Sequence, residues 1–454
     1  MATPEGRSNE RHRRMLLSAG GSGVAKGINI LTALVSVPLT YNYLGAERYG
    51  LWMTMSTTIA MFSFADLGIG NGLLNRVSEA YGKNDREMAR RHVSSAFFML
   101  LGVALVFGAF FNALYPSLNW VRLFNIESSE AAVEVGPAMA VLVACFLANL
   151  PLGVIGRVRM GYQETFLNSL WLMAGNLAGL GGILLVIYFK GGLPWLVLAF
   201  AGAPVLGTML NGFFLFVRSR QWLLPKWGQV ERGSVRILFG AGMLFFVLQV
   251  CSALAYTSDN LIVAHVLGQE AVAEYAIVVR LFSVVPMVME MFLTPLWPAY
   301  AEAMARRDVA WMKQTLVRSL ILAVCFAACA GLFLAFAGRP IIHLWVNEAV
   351  TPPGWLLAGF GVWIVLSVAG SVVAAFLNGA GQIRFQAACA VVMSCVAIGL
   401  KIIFADRIGL PGIIWGMIAA YGLFTALPMA VHLPRMLRQF EREQLVYRNE
   451  APMR

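Results

Sequence analysis

The sequence is a succession of apolar stretches, most of about 20 residues or more, which is the length that crosses a bilayer core about 30 Å thick as a helix. Hydrophobic residues make up 59% of the chain and charged residues only 13%, which is too little polar surface for a water-soluble fold. The sequence therefore predicts an all-α integral membrane protein. About twelve spans are predicted, near residues 16–43, 49–72, 93–115, 132–155, 167–189, 193–217, 237–266, 270–297, 319–338, 355–378, 385–405 and 411–432.

The positive charges alternate from loop to loop, as expected of short connections on two sides of a membrane. Most of the 34 Lys and Arg residues fall on one predicted side, which includes residues 75–92, 218–236 and 300–318. Short cytoplasmic loops carry such an excess, so we expect both termini in the cytoplasm. The formal charge of +11 follows from this topology and does not indicate a nucleic-acid partner.

The two halves of the sequence repeat each other. Because each half holds an even number of spans, both halves must enter the membrane in the same orientation. We expect two pseudo-symmetric six-helix lobes, residues 1–225 and 226–454, which form a parallel repeat around a cleft, the usual architecture of alternating-access carriers. The matched positions are Leu44-Gly45 with Leu267-Gly268, Glu79-Ala80 with Glu302-Ala303, Asp85 with Asp308, and Gly192-Leu193-Pro194 with Gly409-Leu410-Pro411.

Three segments resemble a known family. Residues 38–50 (PLTYNYLGAERYG) and 64–72 (FADLGIGNG) resemble the opening of polysaccharide-biosynthesis membrane proteins. Residues 259–263 (DNLIV), together with Leu267-Gly268 and Tyr275, resemble the seventh and eighth spans of the same proteins. These are the Wzx-type oligosaccharide flippases of the multidrug/oligosaccharidyl-lipid/polysaccharide superfamily, and the resemblance covers nearly the whole chain.

The resemblance implies a MATE-like arrangement of two lobes and a function as a flippase. The substrate would be an undecaprenyl-diphosphate-linked repeat unit of O-antigen or exopolysaccharide, moved from the inner to the outer leaflet of a bacterial cytoplasmic membrane. The implied partners are this lipid-linked oligosaccharide, membrane lipids, and a polysaccharide polymerase and chain-length regulator. No cofactor and no enzymatic activity are implied.

Few ionisable residues lie inside the predicted spans, where each costs at least about 2.5 to 3.5 kcal/mol. Lys26 lies deep in the first span, close to Asn29, and Arg280 lies in the eighth. We expect Lys26, Asn29 and Arg280 to bind the anionic diphosphate or an acidic sugar, since guanidinium and ammonium groups suit such anions. A structural salt bridge is the alternative for each cation.

Three acidic residues are candidates for ion coupling or for charging the cavity. Asp66 precedes a glycine-rich run that permits helix unwinding, so it either faces the cavity or caps a broken helix. Asp259 could carry a proton or pair with Arg280. Glu290 could take up a proton or pair with Lys26 across the lobes. Lys401 lies close enough to the outer end of its span to snorkel to the surface, so we expect a structural role there.

The sequence contains no catalytic or metal-binding motif. All six cysteines lie in apolar stretches, so neither disulfides nor a metal site is expected. A drug or metabolite antiporter of the same superfamily is the nearest alternative function, and two buried cations argue against it. A membrane glycan polymerase or glycosyltransferase is the alternative from another class. Its candidate residues, His343 and Glu348, lie in the short outer loop 339–354.

Overall fold

The computed structural model describes residues 64–124, 126, 128–346 and 352–450, together with short runs and single positions between 23 and 59. Contacts divide the chain into two compact units, which comprise Asn9–Met243 and, mainly, Leu244–Arg454. The lobe limits expected from the sequence, 1–225 and 226–454, stay a prediction.

The first unit is built from helices joined by short turns. Two π-helical segments, Leu198–Gly202 and Phe214–Ser219, flank its last full α-helix. The helix α8 (Arg232–Val266) begins in this unit and continues into the second. The preceding helices are α1 (Ile69–Lys83), α2 (Arg86–Leu114), α3 (Trp120–Leu123), α4 (Ser129–Gly161), α5 (Thr165–Tyr188), α6 (Leu193–Val197) and α7 (Ala203–Phe213).

The second unit continues with eight helices. The eighth predicted span, 270–297, is interrupted after Phe282 and again before Leu296. Pro286 and Pro295 explain these breaks, because each proline removes an N–H group that a continuous helix would use. The helices are α9 (Gln269–Phe282), α10 (Val284–Leu293), α11 (Leu296–Ala305), α12 (Val309–Val346), α13 (Gly354–Gly379), α14 (Ile383–Ile408), α15 (Pro411–Tyr421) and α16 (Leu427–Glu450).

Ten helical segments among the described residues are long and apolar enough to cross a membrane, judged by length and composition. They correspond in order to the third through twelfth predicted spans. The first predicted span, 16–43, falls largely on residues outside the described part, and the second, 49–72, is described in pieces. The ten segments are Arg86–Ser117, Ser129–Gly161, Thr165–Tyr188, Leu193–Ser219, Arg232–Asn260, Glu274–Ala305, Val309–Leu344, Gly354–Gly379, Ile383–Ile408 and Pro411–Glu443.

The turns that precede α2 and α12 are built alike, as the sequence repeat predicts. Asp85 accepts a hydrogen bond from the Met88 N–H at 2.9 Å, and Asp308 accepts one from the Trp311 N–H at 3.3 Å. Both carboxylates therefore cap the first turn of a helix. The residue before each aspartate has a positive φ, 55° and 58° respectively. The matched aspartates perform the same structural task in the two units.

The core of the first unit fixes α4 against α1. Val154 and Val158 lie one turn apart on α4 and are fully buried, as are Leu73 and Val77 on α1. At the end of α4, a Cβ on Gly161 would lie 2.6 Å from Val77 Cγ1, so only glycine allows the two helices to approach this closely. This crossing positions the charged residues on the neighbouring face of α4.

Candidate functional site

The chain turns sharply at residues 64–68, immediately before α1. Leu67 and Gly68 both have positive φ angles, 50° and 68°. The Gly68 N–H donates a hydrogen bond to Asp66 Oδ1 at 2.9 Å. This irregular turn agrees with the unwinding that the glycine-rich run permits, and it gives Asp66 a backbone partner. A role for Asp66 in ion coupling stays a prediction.

Arg157 lies beside Asp66, an arrangement that the sequence analysis missed. A Cβ on Gly70 would lie 2.9 Å from Asp66 Oδ2 and 3.1 Å from Arg157 Nε, so both side chains border the same glycine. Their opposite charges interact. The fourth predicted span, 132–155, ends before Arg157, but α4 continues one turn beyond this residue. The spacing of Leu150, Val154 and Val158 was the available signal, because it extends the buried face of the helix past residue 155.

The start of α8 holds this turn in place within the first unit. A Cβ on Gly242 would lie 2.9 Å from the Leu67 carbonyl oxygen and 3.1 Å from the Ile69 nitrogen. A Cβ on Gly72 would lie 3.3 Å from the Leu238 carbonyl oxygen. The two backbones are thus in direct contact, and the positions of Asp66 and Gly70 are set by packing on both sides.

A second charged cluster closes the end of α4. Arg220 donates to both carboxylate oxygens of Glu164, at 3.0 and 2.6 Å, and Arg159 Nη1 donates to the same carboxylate at 2.8 Å. Arg159 Nε also donates to Asn211 Oδ1 at 3.0 Å. The Arg220 guanidinium lies 4.1 Å from the centre of the Tyr162 ring. Two guanidinium groups that donate several hydrogen bonds to one carboxylate hold the ends of neighbouring helices together.

Electrostatics in this cluster favour the charged state of the carboxylate. Burial raises the pKa of Glu164, but hydrogen bonds and positive charge from Arg220 and Arg159 outweigh it and lower the pKa below its ordinary value. Burial likewise raises the pKa of the Tyr162 hydroxyl to about 12. Glu164 therefore stays ionised at neutral pH, and the cluster remains intact.

In the second unit, Asp259 forms a buried ion pair with Lys401. The Lys401 ammonium also donates to the Ala255 carbonyl oxygen, and the Tyr275 hydroxyl donates to the second oxygen of Asp259 at 2.7 Å. The side chain of Lys401 is 0% exposed and Tyr275 is 1% exposed. This network joins α8, α9 and α14.

The snorkelling expected of Lys401 was wrong, and so was the pairing of Asp259 with Arg280 considered as an alternative. Ala397 and Ala405, one turn before and after Lys401, are fully buried, so the lysine lies on the inward face of α14. A Cβ on Gly416 would lie 2.8 Å from the backbone nitrogen of Lys401, so the α15 backbone packs closely against this face of α14. The ammonium group therefore cannot reach the membrane surface.

The remaining predicted residues are not gathered around these two pairs. Arg280 in α9 and Glu290 in α10 are both exposed, and the break at Ser283 separates their helices. Lys26 and Asn29 lie outside the described residues. The substrate-binding roles of Lys26, Asn29 and Arg280 and the coupling roles of Asp66, Asp259 and Glu290 stay predictions.

Side chains that could bind a metal are dispersed. Within the described ranges, no group of three or more His, Cys, Asp or Glu residues is close enough to hold a metal ion. All six cysteines are free thiols. Three of the charged groups that the fold brings together matter for the site, namely the Asp66–Arg157 pair, the Asp259–Lys401 pair and the Glu164 cluster.

The fold is similar to that of MATE. A crystal structure of MATE in complex with MaD3S superimposes with a TM-score of 0.78, covering 95% of this chain and 97% of that one. The two sequences are 16% identical, so this similarity concerns the fold alone. It confirms the MATE-like, all-helical architecture that the sequence resemblance implied.

Sequence comparison finds relatives that match nearly from end to end. A candidate O-antigen transporter of Salmonella typhi is 22% identical over 422 residues, covering 92% of this chain and 95% of the relative. A protein of the same description from Salmonella typhimurium is 20% identical, with coverage of 91% and 95%. Residues 19–304, more than half of the chain, match the family described as polysaccharide biosynthesis protein. The chain belongs to this polysaccharide biosynthesis protein family.

Proposed function

We propose that this protein is a flippase for undecaprenyl-diphosphate-linked oligosaccharide repeat units of O-antigen or exopolysaccharide. It moves them from the inner to the outer leaflet of the bacterial cytoplasmic membrane. The observation that carries this proposal is the end-to-end similarity to the two Salmonella proteins described as candidate O-antigen transporters. Membership of the polysaccharide biosynthesis protein family supports the same substrate class.

The mechanism we propose is alternating access, in which the site for the substrate headgroup opens in turn to each side of the membrane while the polyprenyl tail remains in lipid. No bond of the substrate is made or broken, so no residue is assigned a catalytic role. The charge asymmetry of the loops supports a topology with both termini in the cytoplasm. A polysaccharide polymerase and a chain-length regulator would act on the substrate after transfer.

Cations supply the contacts for the anionic headgroup in this proposal. Arg280 is exposed, and its guanidinium makes no ion pair with any residue that the structure describes, which leaves its donors free for a ligand. Lys26 and Asn29 are proposed from the sequence alone. Among the acidic residues, Asp66 and Glu290 are proposed as cavity charges, whereas Asp259 is engaged by Lys401.

No specific observation favours either alternative function, the antiporter or the glycan polymerase. The similarity to MATE concerns the fold alone and does not favour a drug or metabolite antiporter. The polymerase hypothesis depended on an outer loop at 339–354, but α12 continues to Val346 and includes His343. Glu348, its second candidate, lies outside the described residues.

The proposed function is tested by deleting the gene and locating labelled lipid-linked repeat units. We expect unpolymerised repeat units to accumulate on the inner leaflet, and the wild-type gene to restore their export. Deletion of the polymerase alone serves as the control, because single repeat units should then reach the outer leaflet. Normal polysaccharide export in the flippase deletion would contradict the proposal.

A further inference from the structure

Arg157 and Arg159 lie two residues apart on α4, but only Arg159 forms hydrogen bonds with described residues. The Arg159 side chain is 4% exposed, and Glu164 and Asn211 accept its hydrogen bonds. Arg157 makes no hydrogen bond with any residue in the described part of the chain. A guanidinium has five N–H donors, and those of half-buried Arg157 have no acceptor among the described residues. Arg157 is therefore a cation whose donors are available to an anionic ligand.

The surroundings of Arg157 suit such a ligand. Gly70 is the second residue of α1, and Asp66 Oδ2 and Arg157 Nε both lie against it, at 2.9 and 3.1 Å from the position that a Cβ there would take. The first turn of a helix adds partial positive charge at the same place. Asp66 is the opposing charge, and one of its two carboxylate oxygens already accepts the Gly68 N–H. The guanidinium and the carboxylate lie on either side of the glycine, and no hydrogen bond joins them.

We propose that Arg157 binds the diphosphate group of the transported lipid, and that Asp66 is the internal anion that attracts the guanidinium when no substrate is bound. This inference rests on the proposed function and names the residue that recognises its substrate. A diphosphate carries more negative charge than one carboxylate and accepts the two parallel N–H bonds of a guanidinium, so it displaces Asp66 as the partner.

The two members of the pair should respond in opposite directions to substitution. Arg157→Gln removes the charge-assisted hydrogen bonds and should weaken diphosphate binding about tenfold or more. Arg157→Lys retains the charge but loses the planar fork, so binding should be intermediate. Asp66→Asn keeps an acceptor for the Gly68 N–H and removes the competing charge, so binding should become several-fold tighter.

The experiment uses the full-length protein in nanodiscs of zwitterionic lipid and measures the affinity for farnesyl diphosphate. Farnesol controls for the lipid tail, and Arg90→Gln is the matched control because Arg90 lies in the same unit and pairs with Glu87. A second series contains phosphatidylglycerol, which tests whether an ordinary anionic headgroup occupies the site. Thermal unfolding of each variant shows whether the fold is retained.

Support requires binding of farnesyl diphosphate but not farnesol, weaker binding by Arg157→Gln, tighter binding by Asp66→Asn and no change in Arg90→Gln. If Arg157→Gln does not fold, the affinity of Asp66→Asn for farnesyl diphosphate still tests the inference, which requires tighter binding than in the wild type. The inference is overturned if Arg157→Gln and Asp66→Asn both leave the affinity for farnesyl diphosphate unchanged. It is also overturned if phosphatidylglycerol in the nanodisc prevents the wild-type protein from binding farnesyl diphosphate, because Arg157 would then bind any anionic headgroup. Export blocked by gene deletion but unaffected by Arg157→Gln would reject this inference alone, whereas export that survives gene deletion would reject the proposed function.

Discussion

Each unit of the molecule contains an acidic residue facing a basic one, but the two pairs are built differently. Asp259 and Lys401 are in direct contact, and Tyr275 and the Ala255 carbonyl oxygen occupy their remaining hydrogen-bonding positions. Asp66 and Arg157 interact across Gly70, and Arg157 has no hydrogen-bond acceptor among the described residues. We call the first pair closed, because its charged groups are in contact and have further hydrogen-bond partners, and the second pair open, because its guanidinium has none among the described residues.

This difference separates structural charge from charge that is available for function. Lys401 is fully buried, whereas Asp66 and Arg157 are half-buried, so both pairs place charge at least partly out of water. What distinguishes them is whether the charged groups have partners. A closed pair resists the removal of either member, because the remaining charge is left buried and uncompensated. An open pair can exchange its partner for a ligand at little expense to the fold.

The largest effect on stability should come from the closed pair. Lys401→Met leaves the Asp259 carboxylate buried without its cation, which should reduce the free energy of unfolding by about 3 to 5 kcal/mol. Thermal unfolding in detergent measures the change. The double variant with Asp259→Asn should regain much of the loss, since it removes the uncompensated charge. A single variant as stable as the wild type would show that the pair is not closed in the membrane.

The Glu164 cluster is a second closed arrangement and should show the next largest effect. Glu164→Gln cannot satisfy two guanidinium groups and should cost about 1.5 to 3 kcal/mol at neutral pH. Because the pKa of Glu164 is lowered in the folded protein, its stabilisation is fully present above the ordinary pKa of the carboxyl group. The stabilisation is lost as the pH falls through the lowered pKa.

The measurement is the unfolding temperature of the wild type and Glu164→Gln from neutral to acidic pH. The difference between the two proteins should shrink as the solution becomes acidic. Glu87→Gln is the matched control, since Glu87 also pairs with two arginines but lies exposed at the start of α2. A constant difference across the pH range would contradict the assigned role of the ionised carboxylate.

The repeated turns allow a milder comparison between the units. Asp85→Ala and Asp308→Ala each remove a side chain that caps the following helix, so each should reduce stability by about 1 kcal/mol. The two losses should be similar and additive, because the residues perform the same task at separate places. Unfolding of both single variants and the double variant tests this. A large loss of stability from only one of the two substitutions would show that the repeated turns do not contribute equally to stability.

The open pair should show the smallest effect on stability and a large one on transport. Arg157→Gln removes no hydrogen bond to a described residue, so the free energy of unfolding should change by about 0.5 kcal/mol or less. Surface polysaccharide in a complemented deletion strain should nevertheless fall strongly. Paired measurements of unfolding and export test the distinction. A variant that unfolds easily would place Arg157 with the closed pairs instead.

The sequence predicted those features of the fold that depend on local pattern. Ten spans were located because their apolar length is visible in the chain, and the matched Asp85 and Asp308 indicated equivalent turns. The partner of Asp259 was not predictable in the same way. Lys401 is distant in sequence, and only packing of α14 against α15 shows that its side chain points inward.

The candidate site was predicted in part for a similar reason. Asp66 was identified because its glycine-rich neighbours allow an irregular backbone, which the structure contains. Arg157 was assigned to a loop, because glycines and two arginines end the apolar stretch before the helix itself ends. Hydropathy locates the lipid-facing part of a helix, whereas the buried spacing of Val154 and Val158 reports how far the helix continues.

Transport in proteoliposomes tests directly whether the protein moves lipid-linked oligosaccharide between leaflets. A fluorescent undecaprenyl-diphosphate-linked oligosaccharide is incorporated in both leaflets, and a membrane-impermeant quencher reports the fraction that reaches the outer leaflet over time. Wild type and Arg90→Gln should make nearly all of the label accessible, and Arg157→Gln should do so much more slowly. Quenching with the wild-type protein that stopped at the fraction seen in protein-free liposomes would contradict the proposed flippase function.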